Sequence, residues 1–159
     1  MPKKHKARMI YEDTDKSADL RYLTGFAVSD PFLYFEAGGN KAVVLSSLEY
    51  GRALKECRKD IEVISITDLE KRFNCPKAER WTAMQQIKAV ANFYKVKNWD
   101  VPYSFPFGLA EQLQKENINV KAVNDFCPER AVKSAEEITA VKNAVALAVK
   151  GLNRAIKVL

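Results

Sequence analysis

Apolar positions along the chain change period several times, and each change marks an element. Residues 7–11 (ARMIY) read as a short strand. Ser17 stands where an N-cap opens a helical turn through Arg21, Tyr22 and Leu23, and Gly25 where a left-handed residue closes it. Residues 31–36 (PFLYFE) and 41–45 (KAVVL) are strand-like, and Gly38, Gly39 and Asn40 between them tolerate positive φ, which predicts a hairpin. Ser46-Ser47-Leu48-Glu49 has the spacing of a capping box and opens a helix to about Lys59. Residues 61–66 (IEVISI) alternate as a strand, and Thr67-Asp68-Leu69-Glu70, a second box, opens a short helix to Phe73.

Cys75-Pro76 breaks the chain. Residues 78–97 then place Trp81, Met84, Ile87, Val90 or Ala91, and Tyr94 at spacings of three and four, a long helix with one face toward a core. A strand over 99–102, a helix from Pro106 to about Glu116 and a strand over 119–123 (NVKAV) complete the series. Helices alternate with strands after one hairpin, so the expected fold is α/β, with a mixed β-sheet flanked by helices. A third box, Ser134-Ala135-Glu136-Glu137, opens a long C-terminal helix with Ile138, Val141, Val145, Ala148, Leu152, Ile156 and Leu159 on one stripe. No glycine cap or stop signal follows, so this helix either ends the protein docked on its own domain or, the reading favoured here, continues into something further along a longer polypeptide. Its uncovered stripe then invites self-association.

Composition narrows the picture. A chain of 159 residues with 47% apolar and 10% aromatic side chains is long enough for one real core and too apolar for disorder. No apolar run approaches the ~18 residues of a membrane span. Only Met9-Ile10-Tyr11 follows the basic start Met1-Pro2-Lys3-Lys4-His5-Lys6, short of a signal-peptide core, so a cytoplasmic location and no membrane partner are expected. Cys57, Cys75 and Cys127 are odd in number and widely spaced, which yields neither a disulfide framework nor a zinc site. The net charge of +6 leaves open an alternative function, a stand-alone basic module binding nucleic acid or another polyanion. Its lysines are dispersed, however, and no RNP-like or helix-turn-helix pattern is present, so nucleic acid is not the expected partner.

The chemistry is mostly exclusion. The glycine cradles of dinucleotide and P-loop sites are absent, and no serine sits in G-x-S-x-G. The single histidine, His5, lies in the basic run, so no Ser–His or Cys–His pair and no histidine-rich metal site can assemble. No catalytic and no metal-binding residue is therefore assigned.

Two segments stand out: Arg21-Tyr22-Leu23-Thr24-Gly25-Phe26, and Glu49-Tyr50-Gly51-Arg52 at a strand-to-helix junction. With Pro128-Glu129-Arg130 and Lys133-Ser134-Ala135-Glu136-Glu137-Ile138, they resemble in order and spacing the N-terminal domain of the creatinase/prolidase family, the Xaa-Pro metallopeptidases. The resemblance implies an N-terminal-like α/β domain over 1–129, and over 130–159 a linker and the first helix leading to an absent catalytic domain. It implies a non-catalytic role, supporting a homodimer and the rim of the substrate site, while the C-terminal catalytic domain hydrolyses the Xaa-Pro bond of peptides with proline second. That domain, of "pita-bread" fold, would hold two divalent ions (Mn, Co or Zn) through two aspartates, a histidine and two glutamates. No cofactor is expected in this piece, which by itself should not hydrolyse peptides. Tyr50, Arg52, Tyr22 and Phe26 are the candidates for rim or interface, where an aromatic and a cation meet a peptide carboxylate or ring. The plainer reading packs Tyr50, Tyr22 and Phe26 inside and pairs Arg52 with an acid. The run Tyr103-Ser104-Phe105-Pro106-Phe107 is open to the same two readings, proline pocket or strand-end core.

Overall fold

Alternating aromatic and β-branched side chains between Phe32 and Leu45 build the middle of a six-stranded sheet, and the other strands add outward from it. The computed structural model describes residues 7–76 and 80–158. The strands are β1 (Arg8–Glu12), β2 (Phe32–Ala37), β3 (Asn40–Leu45), β4 (Glu62–Ser65), β5 (Asn98–Pro102) and β6 (Asn119–Val123). The helices are α1 (Ala18–Thr24), α2 (Ser47–Glu56), α3 (Leu69–Phe73), α4 (Ala83–Tyr94), α5 (Phe107–Lys115) and α6 (Ala135–Val158). Among the described residues, no helix is long and apolar enough to cross a membrane.

The strand order is β4-β3-β2-β1-β5-β6. β2 runs antiparallel to β1 and β3, and all remaining pairs are parallel, so five strands end at one edge of the sheet. The fold is thus the expected mixed sheet with an early hairpin, flanking helices and a long C-terminal helix. The chain forms two compact units, residues 1–126 with the whole sheet and residues 127–159 with α6.

Strand alternation divides the first unit into two buried layers. On one face Met9, Leu33, Phe35, Val44, Ile64, Trp99 and Val101 pack with Leu69 and Phe73 of α3, Ile87 and Val90 of α4, and Leu109 and Leu113 of α5. Ile10, Tyr34, Val43 and Leu45 point to the other face and are buried, as are Leu20 and Leu23 of α1, Phe26, and Ala53 of α2. A charged group is buried in that second layer: Glu36 accepts from Arg8 at 2.7 Å and from the Tyr34 hydroxyl. Burial, and then the Glu36 carboxylate, push the Tyr34 hydroxyl far above its ordinary pKa.

Several local expectations need correction. The long helix begins at Ala83 rather than 78, because Thr82 and Gln85 form a reciprocal capping box. Trp81 therefore precedes the helix, although it still packs on the core; Ala78 and Glu79, where the helix was expected to start, lie outside the described residues, as do His5 and Leu159. At α2 the Ser46 side chain makes no capping bond, and the Glu49 side chain pairs with Arg52 at 3.0 Å rather than closing the box. That helix also ends at Glu56, short of Lys59, where Cys57 turns extended. The box expected at Thr67 is replaced by a 3₁₀ turn over Ile66–Asp68, with the Ser65 side chain accepting from the Thr67 backbone N–H. The third box is formed: Ser134 Oγ accepts from the Glu137 N–H at 3.2 Å, and Glu137 accepts from the Ser134 N–H at 2.7 Å.

Candidate functional site

In open α/β sheets, ligands gather where parallel strands end and their loops diverge. Here that edge is built by the turn after β1, the segment entering β2, the first turns of α2 after β3, and the loop after β5. The sequence Tyr22-Leu23-Thr24-Gly25-Phe26 lies within it as a knot of backbone bonds. Ser17 caps α1 through the Leu20 N–H, and Gly25 ends it at φ 67°. A Cβ on Gly25 would lie 3.1 Å from the Arg58 side chain, so both the left-handed backbone and the space call for glycine. The buried Thr24 hydroxyl donates to Leu20 O at 2.8 Å and accepts from the Phe26 N–H at 3.2 Å. The chain then passes Val28, which Thr14 holds through three bonds of 2.7–3.1 Å.

Each aromatic of this segment carries an arginine from far along the chain. The Arg52 guanidinium lies 4.7 Å from the ring centre of fully buried Phe26 and donates to Ala27 O. It is flanked by Glu49 at 3.0 Å and Glu56 at 3.7 Å. Arg58 lies 5.7 Å from the Tyr22 ring centre and donates to Tyr22 O at 3.2 Å. Of the four candidates, then, Phe26 and Arg52 meet, Tyr22 belongs to a neighbouring pair, and half-buried Tyr50 joins neither ring–arginine pair. Arg58 was not singled out by sequence, since its partner is 36 residues away and only the fold brings them together.

Beside Arg52 a cleft of about 270 Å³ opens, with Asp15, Ser29, Asp30 and Glu49 on its walls. Three carboxylates face one guanidinium that is already bonded to protein, so the cleft favours a cation over an anion. Buried Asp13 holds the turn that carries Asp15 by accepting from the Lys16 ammonium at 2.7 Å and from the Lys16 and Asp15 N–H groups. The Lys16 bonds hold its carboxyl below the usual carboxylate range. Further along the same edge, Leu48 (88% exposed), Tyr103 (68%) and Phe107 (77%) stand in solvent. Phe105, from the same run as Tyr103 and Phe107, packs instead on the core. Elsewhere, Arg8, Lys16, Lys41, Arg72 and Lys88 are each paired with an acid. Among the described residues no three His, Cys, Asp or Glu side chains converge to hold a metal, those of the cleft included.

The pattern of the Creatinase/Prolidase N-terminal domain matches residues 9–127. No curated protein is a sequence match for the chain. Among solved structures the fold is similar to the X-Pro aminopeptidase from Thermotoga maritima MSB8, with a TM-score of 0.75 and 16% identity over 97% of this chain and 41% of that one. The Xaa-Pro dipeptidase from Bacillus anthracis gives a TM-score of 0.74 at 10% identity, covering 97% of this chain and 39% of its own. The prolidase from Pyrococcus horikoshii OT3 gives 0.65 at 20% identity, with the same coverage of 97% and 39%. This chain spans about two-fifths of the length of these proteins, and at such identities the likeness is one of fold. The family pattern runs from β1 through the knot, the sheet and Phe126, and on that ground the chain belongs to the creatinase/prolidase N-terminal domain family.

Proposed function

We propose that this chain is the non-catalytic N-terminal domain of a longer Xaa-Pro metallopeptidase, in which it supports a homodimer and forms part of the rim of the substrate site. The observation that carries the reading is the family match over residues 9–127, on a sheet whose carboxyl edge presents both a cleft and exposed apolar side chains. The described residues do not fit a two-metal centre. The pair of divalent ions belongs, in this reading, to a following catalytic domain, and no step of hydrolysis is assigned to this chain.

Arg52 and Phe26 form a prebuilt wall at that edge. The guanidinium is fixed over the ring and between two carboxylates, so its position costs little further side-chain entropy when a peptide docks. The acidic cleft beside it suits the ammonium of a peptide N-terminus, and Tyr103 and Phe107 suit its apolar side chains.

The test compares the 159-residue chain with the polypeptide extended by the coding sequence that follows Leu159. Manganese-dependent release of an N-terminal residue ahead of proline is expected from the extended protein and not from the short one. Activity in the short chain, or none in the extended one, overturns the proposal. Within the extended protein, Arg52→Ala is expected to lower kcat/KM about tenfold, because the wall that fixes Glu49 and Glu56 over Phe26 is lost. An unchanged kcat/KM removes Arg52 from the rim.

A further inference from the structure

At the edge of the sheet opposite the Arg52 cleft, where β5 and β6 begin, stand polar side chains that the peptidase reading does not use. Alternation sends Trp99 and Val101 into the core, so Asn98 and Asp100 point to the other face. Register sets Asn119 beside Asn98 and Lys121 beside Asp100, a block two strands wide and two rows deep. On that face α2 packs on β3 and β4, at the far side of the sheet. The block stays open: Asn98, Asn119 and Lys121 are exposed, and Asp100 is half-buried. With Gly38 and Val96 of the adjoining loops, the four side chains line a cavity of about 440 Å³, a volume typical of small-molecule sites.

The bonding of this block is incomplete, and in a definite pattern. Asn119 Nδ2 donates to Asn98 Oδ1 at 3.2 Å, which leaves the Asn98 amide nitrogen open as a donor and Asn119 Oδ1 open as an acceptor. Asp100 and Lys121 are neighbours of opposite sign, yet among the described residues neither has an ion-pair partner. Arg8, on the other side of Asp100, is committed to Glu36 at 2.7 Å and to Phe126 O at 2.8 Å. One open carboxylate beside one open ammonium suits neither a metal ion nor a polyanion, since each would meet a like charge. A zwitterion satisfies both.

We propose that this cavity binds a free α-amino acid whose side chain ends in a carboxamide. Its ammonium pairs with Asp100 and its carboxylate with Lys121, across a strand spacing of about 4.8 Å. The asparagine row lies two residues back along the strands, about 6.6 Å away, a distance that a short side chain spans with a hydrogen bond at its end. There the carboxamide accepts from the Asn98 amide and donates to Asn119 Oδ1, the two positions left open. A carboxylate in its place sets acceptor against acceptor. A ligand of about ten non-hydrogen atoms held this way binds with a dissociation constant on the order of 1 mM. The site lies at the edge away from Arg52, and its test reads binding rather than hydrolysis, so it stands or falls apart from the peptidase reading.

The full chain, isotope-labelled in its amides and titrated with L-glutamine to about 10 mM, gives the test by nuclear magnetic resonance. Expected are shifts of the side-chain amide signals of Asn98 and Asn119 that saturate with a constant of about 1 mM. Lys121→Met and Asp100→Asn are each expected to weaken binding about tenfold, as is replacing the ligand by L-leucine or L-glutamate. Lys121 is exposed, so its variant reads the contact even where Asp100→Asn disturbs the strand. No shift over the whole titration, or shifts that spare both asparagine amides, overturns the proposal. So does equal affinity for L-leucine or L-glutamate, which takes the carboxamide out of the recognition, or binding indifferent to Lys121→Met.

Discussion

Two helices, α4 and α6, start from nearly the same local instructions and meet opposite fates. Both open on a complete capping box, Thr82 with Gln85 in one and Ser134 with Glu137 in the other. Both carry apolar residues at helical spacing. Yet α4 buries Gln86, Ile87, Ala89, Val90 and Ala91 within 12 residues, whereas α6 buries none in 24. Capping and periodicity therefore specify that a helix forms and which side is apolar. What covers that side is decided elsewhere, and most of the helix's stability comes from that cover.

The sharpest way to break this comparison is to truncate the same kind of residue in each helix. Ile87→Ala is expected to destabilise the sheet unit by about 2–5 kcal/mol, since a fully buried side chain leaves a cavity. Val145→Ala should leave that unit's unfolding free energy unchanged within about 0.5 kcal/mol. Equal losses in urea unfolding would break the comparison. A smaller contrast lies in the caps. Thr82→Ala should cost the sheet unit about 1 kcal/mol, while Ser134→Ala should lower helical circular dichroism without moving the melting of the sheet unit.

The subtlest contrast is in acid. Asp13 has a depressed pKa in the folded sheet unit, chiefly through Lys16. Its contribution is complete above the unfolded carboxylate value of about 4, and is lost as the pH falls through the lower folded value. Asp13→Asn should therefore flatten the decline of stability below about pH 4 in an acid titration of the sheet unit's melting temperature. A slope as steep as that of the unsubstituted chain would assign the acid sensitivity to other carboxylates.

Much of the fold is legible residue by residue. β6 falls at the expected residues 119–123, and the hairpin and the Ser17-to-Gly25 turn of helix are where their capping and turn residues put them. Misreadings arise where one side chain has two possible partners. Glu49 was free, by sequence, to complete a capping box and instead bonds Arg52; Thr67 could cap and instead leaves that role to Ser65. The candidate site was legible only in part. Phe26 and Arg52 could be named, but not that one would lie over the other, nor that Arg58 would stack on Tyr22. Those contacts span 26 to 36 residues, and nothing in the local spacing encodes them.

The sequence by itself determined the order of helices and strands, the glycine that ends α1 and the kinship carried by the Tyr22–Phe26 segment, because caps, turns and periodicity act within a few residues. Only the tertiary structure decided that Glu36 lies buried between Arg8 and Tyr34, that the cleft beside Arg52 is acidic, and that α4 lays its apolar face into the core. Each of those depends on which distant surfaces come together to exclude water, and burial is a property of the assembled pair, not of either strand or helix alone.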